Sequence, residues 1–288
     1  MPAYRFCRTD DIALLVDALN RCWSPYFPGE PEMTPAAFKR SIRDLQVWCS
    51  SCMVAFSGPD PIGVLIGAKR PSGTLVHKIA VHPDHRRQGH GRHLLASLGS
   101  KLAILGPPRI MSEVAETLDS AHGLFSAGGF VQEGVLTDYV LRAEEGDFGK
   151  ATDISSCGRF IIPVTIDDLA ANDLLESQPR ACWQRSIETL TARKDEIVGL
   201  GVASDERIEA YVLYVDGEVD VEIVSLRTFV EDDGARLEHL LARLRARGIS
   251  TFRFPAVHPS EISTEVLETL GFRRTGRQVL YAATARSG

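Results

Sequence analysis

The sequence predicts an α/β chain built as two copies of one strand-and-helix unit, and three observations carry that prediction. The first is an internal repeat that keeps its order. Thr9-Asp10-Asp11-Ile12-Ala13 returns as Ile166-Asp167-Asp168-Leu169-Ala170. Leu94-Leu95-x-x-Leu98 returns as Leu240-Leu241-x-x-Leu244, and Gly129-Phe130, Gly134 and Tyr139 return as Gly271-Phe272, Gly276 and Tyr281. The offsets of 157, 146 and 142 residues fall steadily along the chain, as a duplication with deletions in its second copy would give. The second observation is the alternation of strand-like and helix-like apolar patterns within each copy. The third is length, since 288 residues favour two ordinary domains over one.

Each copy reads as a strand, one or two helices, three strands, a long helix, a strand, a helix and two final strands. In the first copy the strands fall near 4–8, 52–56, 62–68, 74–81 and 109–114, with a last pair near 131–133 and 137–142. Asp residues at 10–11 and 167–168 mark the first helix starts. Thr34 followed by Pro35 starts the second helix. Leu94, Leu95, Leu98 and Leu102 give the long helix one apolar face, and Gly106-Pro107-Pro108 ends it. A polar, glycine-containing stretch divides the chain into domains 1–142 and 159–288, with a linker at 143–158.

The most informative segment is Val81-His82-Pro83-Asp84-His85-Arg86-Arg87-Gln88-Gly89-His90-Gly91-Arg92. It joins a strand to the long helix. Backbone N–H groups at a helix start have no intrahelical partner, and the helix dipole adds positive potential, so such a loop is an anion site. Gly89 and Gly91 are expected to let a phosphate approach the main chain, and Arg86, Arg87 and Arg92 to add charge.

Composition narrows the classes. A net charge of −6 argues against general nucleic-acid binding and against a basic membrane-binding face. No apolar run reaches membrane-spanning length and the first residues do not begin a signal peptide, so the expected location is cytoplasmic. Six cysteines in this length make no disulfide scaffold. Cys49-Ser50-Ser51-Cys52 stands without a second ligand pair, so no metal is expected.

Val81-x-Pro83-x-x-Arg86-x-x-Gly89-x-Gly91-x-x-Leu94-Leu95 resembles the acyl-CoA motif of the GNAT acetyltransferases, and the order of elements around it fits that family. The resemblance implies two tandem GNAT-type domains, each on a mixed sheet, with acetyl-CoA as cosubstrate of the first. Backbone N–H groups from Arg87 through Gln88, Gly89, His90 and Gly91 to Arg92 would hold the pyrophosphate, with Arg86 beside them. Ile79, Ala80 and Val81 would pair with the pantetheine like an added strand. In the second copy Arg86 falls on Asp232, Gly89 on Ala235 and Gly91 on Leu237, which implies that the C-terminal half binds no CoA.

The implied reaction is transfer of an acetyl group to an amine by direct attack. An alkylamine must first lose a proton, its pKa lying near ~10. The family's usual tyrosine is Phe125 here, and its frequent asparagine is Leu118. His77, Glu113 and Tyr139 are the remaining candidates for proton handling. The loop from Cys22 to Glu32, rich in proline and aromatics, is expected to form the acceptor side through Tyr26, Phe27 and Glu30. The expected partners are acetyl-CoA and an amine-bearing acceptor, in a monomer or homodimer. Two alternatives stay open: a catalytically idle acyl-CoA sensor, and an acyltransferase using another acyl-CoA or an O-linked acceptor.

Overall fold

The computed structural model describes residues 2–143, 160–175, 182–217 and 219–285. The expected linker, 143–158, lies outside the described residues except for Ala143. The first copy forms β1 (Ala3–Phe6), α1 (Ile12–Cys22), α2 (Pro35–Leu45), β2 (Met53–Ser57), β3 (Asp60–Arg70), β4 (Gly73–Val81), α3 (His90–Leu105), β5 (Arg109–Ala115), α4 (Asp119–Ala127) and β6 (Val131–Arg142). The second copy repeats the series as β7 (Phe160–Val164), α5 (Ile166–Ala171), α6 (Ile187–Ala192), β8 (Ile197–Ala203), β9 (Ile208–Asp216), β10 (Asp220–Thr228), α7 (Ala235–Arg245), β11 (Thr251–Val257), α8 (Thr264–Thr269) and β12 (Arg273–Thr284).

Local chemistry accounts for the repeated punctuation. Gly129 (φ 80°) and Gly271 (φ 88°) adopt the left-handed conformation that ends a helix without a Cβ clash. Phe130 N–H then reaches back to Phe125 C=O (3.1 Å), and Phe272 N–H to Leu267 C=O (2.9 Å). Both helices therefore end in the same six-to-one capping bond, with a buried phenylalanine just beyond the glycine. At α2, the Thr34 hydroxyl accepts from Ala37 N–H, as the sequence suggests. Asp11 does not cap α1 in that way. Its carboxylate instead takes Arg8 N–H (2.7 Å) and the Arg5 guanidinium (2.9 Å).

The two compact units are not contiguous in sequence. One contains Met1–Gly134 with Val279–Gly288, and the other Val135–Gln278. The expected boundary at 142 differs because β6 and β12 each run from one unit into the other. Residues 131–133 and 137–142, read as a pair of strands, form the single strand β6, since Gly134 is not among the residues with positive φ and the chain makes no turn there.

In the first unit the sheet runs β1-β2-β3-β4-β5 and then the end of β12. β1, β2, β3 and β4 pair antiparallel in turn and β4 pairs parallel with β5, so the sheet is mixed. β3 is buried along most of its length, as a strand covered on both faces should be. On one face Leu94, Leu95, Leu98 and Leu102 of α3 join Phe125 and Phe130 in a core with Ile110, Val114 and Tyr281. α1 packs on β3. In the second unit the order is β6-β11-β10-β9-β8-β7, with β10 and β11 the parallel pair. Leu237, Leu240, Leu241 and Leu244 of α7 form its core with Phe252, Phe254 and Tyr139.

Candidate active site

The site of the first unit begins where β4 leaves β5. The two strands are in register only at Thr74–Ile110 and Leu75–Met111. Ser112 Oγ then donates to Val76 C=O (3.2 Å), and beyond that point the ladder between them stops. On the other side of β4, Lys78 pairs with Ile66 and Val76 with Gly67, which leaves His77 as a bulge. A bulge re-aims the strand and interrupts the alternation of side chains. Regular alternation would put His77 on the face of Ile79 and Val81, and the bulge breaks that alternation. Val81 C=O, at the strand end, accepts from the Tyr26 hydroxyl at 2.6 Å.

After Val81 the chain makes one tight turn at Pro83–His85, with Arg87 (φ 62°) and Gly89 (φ 86°) in the left-handed region. α3 follows at once. Among the described residues, the backbone N–H groups of Arg87, Gln88, Gly89, His90, Gly91 and Arg92 donate to no protein group. Arg86, Arg87 and Arg92 are exposed, and no carboxylate among the described residues pairs with them. Arg86 lies 5.6 Å from the Tyr26 ring. His90 contributes its main chain only, because its ring is buried with Nδ1 on the Tyr4 hydroxyl (2.6 Å). Burial lowers the His90 pKa, so the ring adds no charge to the loop.

The two glycines have different reasons. Gly89 is needed for its positive φ. A Cβ on Gly91 would meet both Leu124 methyls at 3.3 Å and Val81 Cγ2 at 3.8 Å. Gly91 thus permits close packing of α3 on α4 and the strand end.

In the loop from Cys22 to Glu32, Trp23 and Phe27 stack with centroids 4.4 Å apart. Trp23 Nε1–H and Lys78 Nζ both donate to Glu30 Oε2, at 2.9 and 3.3 Å. Lys78 Nζ also sits 3.9 Å over the Trp23 ring. Both bonds use Oε2, so Oε1 of Glu30 is directed elsewhere. Lys78 escaped the sequence reading. The available signal was a lysine between His77 and Ile79 in an otherwise apolar strand. Burial lowers its pKa, against the opposing pull of Glu30.

Glu113 lies on the part of β5 beyond the ladder. It alternates with Ile110 and Val114, which enter the α3–α4 core, so it faces the opposite side of the sheet. Burial, with Lys78 as a smaller cause, pushes His77 down to about 4. The ring is therefore neutral at pH 7. A lowered histidine pKa stabilises the fold above the unfolded value near ~6.5 and is lost as pH falls through the folded one. Wild-type protein should lose on the order of 3 kcal/mol from this group between those two values. A His77→Gln variant should show a flatter denaturant midpoint across the same window. Equal slopes for the two proteins would contradict the assignment.

Tyr139 is in the second unit, where its hydroxyl meets Thr264 Oγ1 at 3.0 Å within that core. Tyr139 thus belongs to a different unit from His77 and Glu113. The exchange of terminal strands puts its repeat partner Tyr281 in the first unit instead. The Tyr281 ring stacks on Phe125 (5.8 Å), and its hydroxyl meets His122 Nδ1 (3.0 Å) and Gln132 Nε2 (3.1 Å). His122 Nε2 contacts Ala115 C=O at 3.2 Å, which requires the proton on Nε2 and makes Nδ1 the acceptor of the Tyr281 hydroxyl. The network is closed.

The second copy carries an altered form of the same loop. Gly234 (φ 85°) precedes α7 as Gly89 precedes α3, so the alignment of Gly89 with Ala235 shifts by one at the cap. The amides there are occupied by the chain itself. Asp232 Oδ1 accepts from Gly234 N–H (3.2 Å), and Oδ2 from Arg236 N–H (3.0 Å) and the Arg236 guanidinium (2.7 Å). A carboxylate sits where the first copy leaves its donors open. Leu237 is fully buried in the core.

A strand splayed from its parallel neighbour, ending in a loop of open amides at a helix start, defines the acyltransferase fold to which the motif points. The sequence model of the Acetyltransferase (GNAT) family matches residues 13–130, and the chain carries a domain of that family there. The whole chain has the fold of a GCN5-related N-acetyltransferase from Sphaerobacter thermophilus, at TM-score 0.69 and 13% identity, covering 100% of this chain and 96% of that one. It is also similar to a tandem GNAT protein from the clavulanic acid biosynthesis pathway, at TM-score 0.64 and 18% identity, with 100% of both chains covered. A GCN5-related N-acetyltransferase from Kribbella flavida gives TM-score 0.64 at 12% identity, covering 99% of this chain and 71% of that one. At these identities the likeness is one of fold, and it extends over two GNAT-type domains. No curated protein matches the sequence. Among the described residues no helix is long and apolar enough to cross a membrane, and no group of three or more His, Cys, Asp or Glu is placed to hold a metal ion.

Proposed function

We propose that the N-terminal copy (1–142) transfers an acetyl group from acetyl-CoA to the amine of a small molecule or peptide by direct attack. The observation that carries this reading is the run of six open backbone N–H groups, Arg87 to Arg92, beside a strand edge that has left its neighbour. Those donors fit a pyrophosphate, and the edge from Ile79 to Val81 fits an extended, amide-bearing arm. When bound, acetyl-CoA supplies the activated acetyl thioester. Tyr26 fixes the end of β4 through Val81 C=O and closes the acceptor side with Phe27. Glu30, held through Oε2, offers Oε1 to an ammonium group. Glu113 and neutral His77 are the groups on β5 and β4 able to accept its proton. The C-terminal copy (159–288) keeps the fold, and Asp232 supports its reading as a copy without CoA.

The test is amine-dependent release of CoA thiol from acetyl-CoA across a broad amine panel. Release is expected, and Glu30→Gln should raise KM for cationic amines about tenfold with a smaller effect on kcat. A sensor is the second reading, favoured because Phe125 stands fully buried at the usual tyrosine position. CoA-induced stabilisation without thiol release from any amine would establish the sensor instead.

A further inference from the structure

We infer that the second unit holds a separate binding site for a small polyanion, recognised through two or more phosphate or carboxylate groups. The site is a groove of about 670 Å³ lined by Arg142 at the end of β6, Arg245 at the end of α7, and Arg273 and Arg274 at the start of β12, with Gly271 and Thr275 between them. This volume is in the range of small-molecule sites. The chain as a whole carries a net charge of −6, yet the groove gathers four arginines, and among the described residues no acidic one lines it. Arg274 pairs with Glu268 at 2.9 Å. Arg142, Arg245 and Arg273 have no carboxylate partner among the described residues. The Nε of Arg245 is buried and without any hydrogen-bond partner. An unmatched guanidinium on a residue that lines a groove calls for an acceptor, and an anionic ligand in the groove supplies charge complementarity to it.

The fold does not require these charges. With the repeat offsets of 142 and 146, Arg142 corresponds to Thr284, Arg273 to Val131, Arg274 to Gln132 and Arg245 to Gly99. The first unit, which holds all four counterparts, builds the same elements without one basic residue at these places. All four are arginine rather than lysine, which suits the fork geometry of phosphate and carboxylate groups. The groove is remote in sequence from the Arg86–Arg92 loop, and its proposed ligand is independent of the acetyl-transfer reading.

Pyrophosphate and citrate, titrated calorimetrically at low salt into protein whose other anion loop, Arg87 to Arg92, is disabled by Gly91→Leu, distinguish phosphate from carboxylate recognition in the groove. Saturable binding of at least one is expected, weakened at least tenfold in Arg142→Gln/Arg273→Gln and also in Arg245→Gln. Both exposed substitutions should leave the thermal transition unshifted. An Arg86→Gln/Arg87→Gln protein, altered in the other anion loop, should retain the signal. Absence of saturable binding by either probe overturns the proposal. So does binding that survives Arg142→Gln/Arg273→Gln, or that disappears with Arg86→Gln/Arg87→Gln alone.

Discussion

Replacing Tyr281 by Ala is expected to unfold the N-terminal unit preferentially, although residue 281 lies at the far end of the chain. Tyr281 is 1% exposed and belongs to the core built by α3, α4 and β5. Truncating a buried aromatic to Ala costs about 3–5 kcal/mol, from lost burial and the cavity left behind. The loss also leaves His122 Nδ1 without its donor, the Tyr281 hydroxyl. Tyr139→Ala should do the mirror-image damage, since Tyr139 is 3% exposed in the core with Phe252 and Leu241. Amide hydrogen exchange separates the cases. Tyr281→Ala should reduce protection in β4 and α3, and Tyr139→Ala in β10 and α7. Contiguous domains would give the opposite pattern, which would rule out the exchanged strands.

The same pair of tyrosines shows why part of the fold is legible in sequence and part is not. Element types follow from local rules: the leucine face of α3, the Thr34-Pro35 start of α2 and the Gly-Phe caps of α4 and α8 are each decided within a few residues. Which sheet a terminal strand joins is not a local matter. β6 and β12 are copies of one strand, each carrying glycine and tyrosine at matching places, so either fits either core. Their lengths are what permits exchange, and reading 131–133 and 137–142 as two strands hid the length of β6. The open amides of the Arg87–Arg92 loop were legible because they follow from a helix start. The Glu30–Trp23–Lys78 group was half legible, since its loop announced itself but Lys78 comes from a strand 48 residues away. The bulge at His77 left no mark in the residue pattern. Asp232 was legible as a charge opposed to phosphate, while its actual role, occupying the amides itself, depends on a cap one residue off the leucine alignment.

Gly91→Leu is expected to remove CoA binding from the N-terminal unit while leaving its sheet folded. A single added Cβ would already stand 3.3 Å from both methyls of Leu124, and three further carbons cannot be placed without driving α4 from the start of α3. Overpacking of this kind costs about 1–3 kcal/mol in stability. The displaced helix start carries the open amides of His90, Gly91 and Arg92, so CoA affinity should fall about 100-fold or more by titration. Gly91→Ala supplies the graded control. Its one methyl meets the flexible end of Leu124, which can yield by a few tenths of an ångström, so affinity should stay within a few-fold of wild type. Asp232→Ala supplies the control in the other copy. It frees the amides of Gly234 and Arg236 and should cost about 1–2 kcal/mol in the second unit without changing CoA affinity. If Gly91→Leu bound CoA normally, the α3 amides could not be the anchor, because they could not have kept their positions. If Asp232→Ala weakened CoA as much as Gly91→Leu, the cosubstrate would not belong to the first copy alone.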